Sequence, residues 1–252
     1  MALAGKVVVV TGGNRGIGLG LARGAGKAGA SIAIWARDAA AGASAVSELE
    51  ADGVRARFFE CDVTREDSVV GAAGSTLENL GPIDALFANA GISGERTRLI
   101  DLSLAEWRRV MAVNLEGAVI SMREAARQMI RLERPGALIG VASTSAIHGT
   151  PGRLAYSASK AGLTAVCRGL AVELARHRIR CNALVPGWTK TDMLDRDHAR
   201  SERFVEATTA RTPVRRWGTP ADFEAVAAFL ADPDQAYHTG DSVVVDGGYT
   251  VY

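Results

Sequence analysis

No apolar run in the 252-residue chain approaches the roughly 18 residues that a membrane helix needs. Net charge is almost absent: 29 Lys+Arg against 28 Asp+Glu leave +1. A protein whose main partner is nucleic acid carries a basic footprint, and this balance argues against one. Cysteine is scarce. Cys61, Cys167 and Cys181 are widely spaced and form no Cys-x-x-Cys pair. An odd count cannot close completely into intrachain disulfides, which fits small buried thiols and a reducing cytoplasm. His148, His177, His198 and His238 show neither an H-E-x-x-H pattern nor a cysteine partner at ligand spacing. No metal site is therefore expected. A Gly-x-Ser-x-Gly elbow is missing too, so a hydrolase triad has no support. The first residues do not read as a signal peptide: Lys6 is the only early cation, and Thr11-Gly12-Gly13 follows a short apolar run. A cytoplasmic location is the expectation.

What is present is an ordinary globular composition, 48% hydrophobic and 23% charged, with 28 glycines. There is no linker, low-complexity tract or internal repeat, so residues 1–252 read as one domain. Strands are expected at 7–10, 31–35, 54–59, 83–88, 137–142, 179–184 and 243–246. Helices are expected at 16–28, 39–51, 66–80, 104–132 and 154–175, with a helix-rich stretch at 193–231. This alternation implies βαβ units. Right-handed crossovers then give an α/β fold, a doubly wound, Rossmann-like parallel sheet of about seven strands with helices on both faces.

After the first strand comes Thr11-Gly12-Gly13-Asn14-Arg15-Gly16-Ile17-Gly18. Strand, glycine-rich turn and helix is the context of a dinucleotide site. Gly12 permits the tight turn, Gly16 lets backbone approach a pyrophosphate, and Gly18 lets the helix pack on the strand. The helix N-terminus offers free N–H groups to phosphate. The spacing is Gly-x-x-x-Gly-x-Gly, not the commoner G-x-G-x-x-G.

With this variant, the sequence resembles the short-chain dehydrogenase/reductase superfamily, from Lys6 to Gly248. Further marks are Asp62-Val63, Asn89-Ala90-Gly91, Asn114, Ser143, Tyr156-Ser-Ala-Ser-Lys160, Pro186-Gly187-Trp188-Thr189-Lys190-Thr191 and Val245-Asp246-Gly247-Gly248. One departure is Ala88, where many relatives have Asn. The resemblance implies a nicotinamide dinucleotide held by Gly12, Asn14, Arg15, Gly16, Ile17, Gly18, Arg37, Asp62, Val63, Asn89, Ala90 and Gly91. Tyr156, Lys160, Pro186, Gly187, Thr189 and Thr191 complete that set.

Tyr156 and Lys160 are four apart on an expected helix and share a face. A free tyrosine has a pKa of about 10, too high for an efficient base at neutral pH. A nearby ammonium favours the phenolate. Ser143 ends a strand, where ligand crevices form, and its hydroxyl could hold a substrate oxygen beside the tyrosine. The resemblance implies the roles. Tyr156 exchanges the proton with the carbonyl or alcohol oxygen, and Ser143 polarises it. Lys160 holds the nicotinamide ribose and tunes Tyr156, and Asn114 positions a relay water.

At the end of the second strand the sequence runs Trp35-Ala36-Arg37-Asp38. By resemblance, an NAD-selecting acid would fall at Ala36 and is missing. Arg37 and Arg15 could both reach the extra phosphate of NADP(H), a strong recognition geometry. Asp38, twenty residues beyond Gly18, stands at the offset of an NAD acid and speaks the other way. NADP(H) is preferred, with NAD(H) possible.

The partner is expected to be a small carbonyl or alcohol substrate, with no nucleic acid and no membrane. Ser145, His148, Trp188 and Met193 are the substrate-contact candidates, with residues 192–220 as a covering segment. The stretch Arg211-Thr-Pro-Val-Arg-Arg-Trp217-Gly-Thr-Pro220 is similar to relatives acting on sugars and sugar acids, and also to 3-oxoacyl thioester and general ketone reductases. The resemblance further implies a homotetramer. Two other readings remain. One is a non-catalytic NADP(H)-binding redox sensor, which would not need Asn114, Ser143, Tyr156 and Lys160 together. The other is a sugar-nucleotide epimerase, whose glycine spacing and larger C-terminal region are absent.

Overall fold

The computed structural model describes residues 2–191 and 202–252. Seven parallel strands form one sheet in the order β3-β2-β1-β4-β5-β6-β7. They are β1 (Val7–Thr11), β2 (Ser31–Ala36), β3 (Ala56–Glu60), β4 (Ala85–Ala88), β5 (Gly136–Val141), β6 (Ile179–Pro186) and β7 (Ser242–Val245). The helices are α1 (Gly16–Lys27), α2 (Ala39–Ala51), α3 (Glu66–Asn79), α4 (Leu104–Met111), α5 (Gly117–Arg131), α6 (Leu154–Leu174), α7 (Glu202–Arg211) and α8 (Glu224–Ala231).

All five residues of β1 are buried. Continuous burial is what a strand shows when helices cover both faces. Side chains alternate between faces along a strand. Val8 and Val10 accordingly join Ile32, Ile34 and Phe87 against α1, α2 and α8. Val9 joins Ala33, Trp35 and Leu86 against α3, α5 and α6. Each fully buried aliphatic or aromatic side chain contributes roughly 1.5–3 kcal/mol. The three cysteines are buried and free.

Two features differ from the sequence expectation. The helix expected at 104–132 is interrupted by a π-turn, Ala112–Glu116, in which the Gly117 N–H bonds to the Ala112 carbonyl. Asn114 lies in that turn and is fully buried. The third strand begins at Ala56, not at 54, because Val54 turns inward onto Gly26 of α1. Residues 192–201, with Met193 and the start of the expected covering segment, lie outside the described residues.

Glycines set how closely α1 packs. A Cβ on Gly20 would sit 2.1 Å from the Pro220 carbonyl oxygen, and one on Gly24 would sit 2.1 Å from that of Glu224. The glycine stripe lets the backbone of α1 meet residues 220–224 directly, which fixes the helix behind the glycine loop.

Candidate active site

Strand order reverses between β1 and β4, and the loops after them face one crevice. Thr11 joins those loops. Its hydroxyl oxygen accepts from the N–H groups of Asn89 and Ala90, both at 2.9 Å, and itself donates to the Phe87 carbonyl. The Asn89 amide donates to the carbonyls of Thr11 at 2.9 Å and Gly12 at 3.2 Å. Gly12 and Gly16 have φ of +63° and +54°, a region that suits glycine. A Cβ on Gly18 would lie 2.4 Å from the Gly12 carbonyl and 2.5 Å from the Asn89 amide nitrogen. Asn14 is half-buried, and Ile17 packs against the core.

Arg15 occupies the N-cap position of α1, where it supplies no side-chain acceptor, and the first turn carries no acid. The helix end therefore keeps its affinity for an anion. Arg15 and Arg37 are exposed, and neither forms an ion pair among the described residues. Arg37 acts on Asp62. Burial pushes that carboxyl up, but hydrogen bonds from Thr64 and the charges of Arg37 and Arg65 prevail and hold it below its usual range. Asp38 accepts the Ala41 N–H at 3.0 Å and so caps α2. Val63 is buried and packs on Gly117.

The second half of the crevice lies beyond β4. Asn114 holds the strand-end loop by both ends of its amide: Oδ1 accepts the Ile92 N–H at 2.8 Å, and Nδ2 donates to the Ile92 carbonyl at 2.9 Å. Its Nδ2 also donates to Ser159 Oγ at 3.1 Å. A Cβ on Gly91 would lie 3.3 Å from Asn114 Oδ1 and 3.4 Å from Lys160 Nζ, so Gly91, Asn114 and Lys160 converge.

Lys160 is 4% exposed, and its ammonium donates to the Val141 carbonyl at 2.7 Å. Burial lowers its pKa from 10.5 to about 8. Nζ lies 5.8 Å from the Tyr156 ring centroid. Tyr156 itself is half-buried. Ser143 is extended and follows β5. Its Oγ accepts the Ser145 N–H at 3.1 Å, leaving its own hydroxyl hydrogen to donate. Ser145 Oγ accepts from Thr150 Oγ1 at 3.2 Å.

Pro186 ends β6, and the Gly187 N–H bonds to the Val245 carbonyl at 3.0 Å. Thr189 is buried, donates to the Gly187 carbonyl and forms a bridge with Gly218. The Thr191 side chain lies 3.2 Å from where a Gly16 Cβ would be, which brings this loop against the glycine turn. Trp188 stacks on Trp217, with centroids 5.9 Å apart and planes at 25°. His148 meets Tyr249 edge-on at 5.9 Å.

A profile described as Enoyl-(Acyl carrier protein) reductase matches residues 12–250. The chain belongs to the short-chain dehydrogenase/reductase superfamily. It is 34% identical over 250 residues to the gluconate 5-dehydrogenase of Gluconobacter oxydans (strain 621H), covering 99% of this chain and 96% of that one. It is 36% identical over 252 residues to the 3-oxoacyl-(acyl-carrier-protein) reductase of Chlamydia pneumoniae, covering 99% of each. A solved gluconate 5-dehydrogenase from Burkholderia cenocepacia J2315, in complex with NADP and tartrate, matches at TM-score 0.93 and 32% identity, over 99% of this chain and 97% of that one. This short-chain dehydrogenase/reductase is thus an oxidoreductase acting on CH–OH or C=O groups, in a superfamily that binds NAD or NADP.

Several residues of this enzyme's crevice had no sequence signal. Arg153, buried at the start of α6, donates to the Ser93 and Gly94 carbonyls. Glu106, buried in α4, accepts the Glu95 N–H at 2.7 Å. Hydrogen bonds from Arg109 lower its carboxyl, against the opposing effect of burial. Together with Asn114 these two fix residues 92–95 beside Tyr156. Tyr249 comes from far along the chain with nothing in its local sequence to mark it, and the stretch that Arg211 opens gives no sign that its guanidinium meets that ring. No helix among the described residues is long and apolar enough to cross a membrane. No cluster of three or more His, Cys, Asp or Glu among them could hold a metal.

Proposed function

We propose that this short-chain dehydrogenase/reductase interconverts a ketone and a secondary alcohol with NADP(H), using Tyr156, Lys160, Ser143 and Asn114. The observation that carries this reading is Lys160. A lysine held in the interior at a cost is kept for what its charge does. Here that charge lies under Tyr156 and beside Gly91.

In reduction, Tyr156 gives its hydroxyl proton to the carbonyl oxygen, and in oxidation it takes the alcohol proton. Ser143 donates to the same oxygen and polarises it. Lys160 stabilises the phenolate that remains. Asn114, with both amide ends on Ile92, anchors the loop against which Lys160 sits. When bound, the nicotinamide supplies or accepts the hydride. The glycine loop, the uncapped start of α1 and the Asn89–Gly91 loop fit a pyrophosphate and ribose. Arg15 and Arg37 favour NADP(H), and the engagement of Asp38 in capping α2 supports that preference. One catalytic domain over 1–252 and a homotetramer complete the reading.

A panel of ketones and alcohols, followed by nicotinamide absorbance with each cofactor, tests it. Turnover is expected with NADPH about tenfold or more above NADH. No absorbance change with any pair would show a binding protein instead. Within the reading, a hydroxylated acid as substrate is favoured by the gluconate 5-dehydrogenases among the relatives, one of them in complex with tartrate. A 3-oxoacyl thioester is the alternative, on the strength of the acyl-carrier-protein reductase. Both belong in the panel.

A further inference from the structure

His148, Trp188 and Tyr249 follow β5, β6 and β7, three neighbouring strands, and their rings meet at one end of the crevice. Tyr249 is the hub. His148 and Trp188 approach it edge-on, at 5.9 and 6.2 Å between centroids, and the Arg211 guanidinium carbon lies 4.4 Å from its ring centre. Arg211 has no ion pair among the described residues. Two ring nitrogens of the cluster, Trp188 Nε1 and His148 Nε2, are buried with no hydrogen-bond partner among the described residues. A buried N–H without an acceptor is costly, and native proteins rarely keep one without a reason. Asp246 lies on the same loop as Tyr249. Its two oxygens accept the Gly248 and Thr250 N–H groups at 2.8 and 2.7 Å, so it shapes the turn that presents Tyr249.

We infer that this cluster is a subsite for a carboxylate carried on a small hydroxylated chain. The donor inventory selects that class. A guanidinium and an indole can only donate, and an imidazole can donate, so the complementary group is rich in acceptors and negative. The Tyr249 ring holds the guanidinium by a cation–π contact, which reduces the ordering cost when an anion arrives. Ser143 and the cluster lie along the same strand-end edge, so the acid end of the substrate is held apart from the carbon that reacts. The inference rests on the hydride-transfer reading and narrows its substrate to an acid.

Calorimetric titration of the NADP-loaded protein with D-gluconate and with sorbitol, its neutral counterpart, provides the test. Gluconate is expected to bind about tenfold or more tightly than sorbitol. Arg211→Gln, at an exposed position, should cut that preference about tenfold. Trp188→Phe, which keeps the ring and removes the N–H, should cut it by a smaller factor. Equal affinities in the wild type would overturn the subsite, as would a preference that survives both substitutions. The same result accompanied by turnover of neutral ketones would leave the hydride reading intact. Acid binding without turnover of any substrate would instead break the hydride reading and keep the subsite.

Discussion

The loops after β1 and β4 are held by glycines and by polar side chains hydrogen-bonded to backbone groups, whereas those after β5, β6 and β7 are held by large aromatic side chains. In the first region Thr11 and Asn89 tie main chain to main chain, and Gly18 leaves no room for a methyl group. In the second, Trp188, Trp217, Tyr249 and Arg211 meet through rings and a cation. The difference follows from what each region does under the proposed reading. A dinucleotide is constant, so its cradle is built of main chain pinned by small polar side chains and glycine. A substrate varies between enzymes, so its pocket is made of side chains that can be exchanged without moving the backbone.

Lys160 lies on the border between the two regions. Lys160→Met should lower kcat about a thousandfold. It should also raise stability. At pH 7 the native protein carries a buried ammonium whose pKa is lowered from 10.5 to about 8, a penalty of roughly 3 kcal/mol, partly offset by the Val141 hydrogen bond. The unfolded chain binds the extra proton between those values, so wild-type stability gains as pH rises from about 8 toward 10.5. Denaturation of both proteins across that range should show the variant ahead at pH 7 and the gap closing above pH 9 or so.

Gly18→Ala tests the first region by itself. Its methyl group would collide with a carbonyl and with the Asn89 amide. NADPH affinity should fall about tenfold or more, and stability by about 1–3 kcal/mol. Arg37→Asp keeps the cradle and changes one charge. The ratio of kcat/KM for NADPH over NADH should move toward NADH by about tenfold or more, and an unchanged ratio would remove Arg37 from phosphate recognition. The smallest effect belongs to Asp222, in the turn that braces α1. Hydrogen bonds and charge from Arg216 hold its carboxyl well below the usual range. Its contribution is present above about pH 4 and fades on acidification. The pair is partly exposed, so Asp222→Asn should cost no more than about 1 kcal/mol at pH 7 and less at pH 3.

The same contrast governs what the sequence reveals. The sheet, its strand count and the glycine loop are legible because short apolar, β-branched runs between helix-like stretches and Gly-x-x-x-Gly-x-Gly are local signals. Tyr156 and Lys160 are legible as a four-residue spacing on a helix. The π-turn at Ala112–Glu116 is not, since its residues read as ordinary helix. Arg153 and Glu106 act on backbone groups more than ten residues away in sequence, and Tyr249 meets His148 only because β5 and β7 flank β6. Gly20 and Gly24 look like weak points in a helix until the 220–224 segment is placed against them.

On the proposed reading Tyr156 handles the proton while the glycine-built region holds the cofactor independently of it. Tyr156→Phe, assayed both for turnover and for NADPH affinity by fluorescence titration, tests it most directly. The expected result is a loss of kcat of about a thousandfold with affinity within about threefold of wild type. Retained turnover, or affinity that falls in step with turnover, would contradict it.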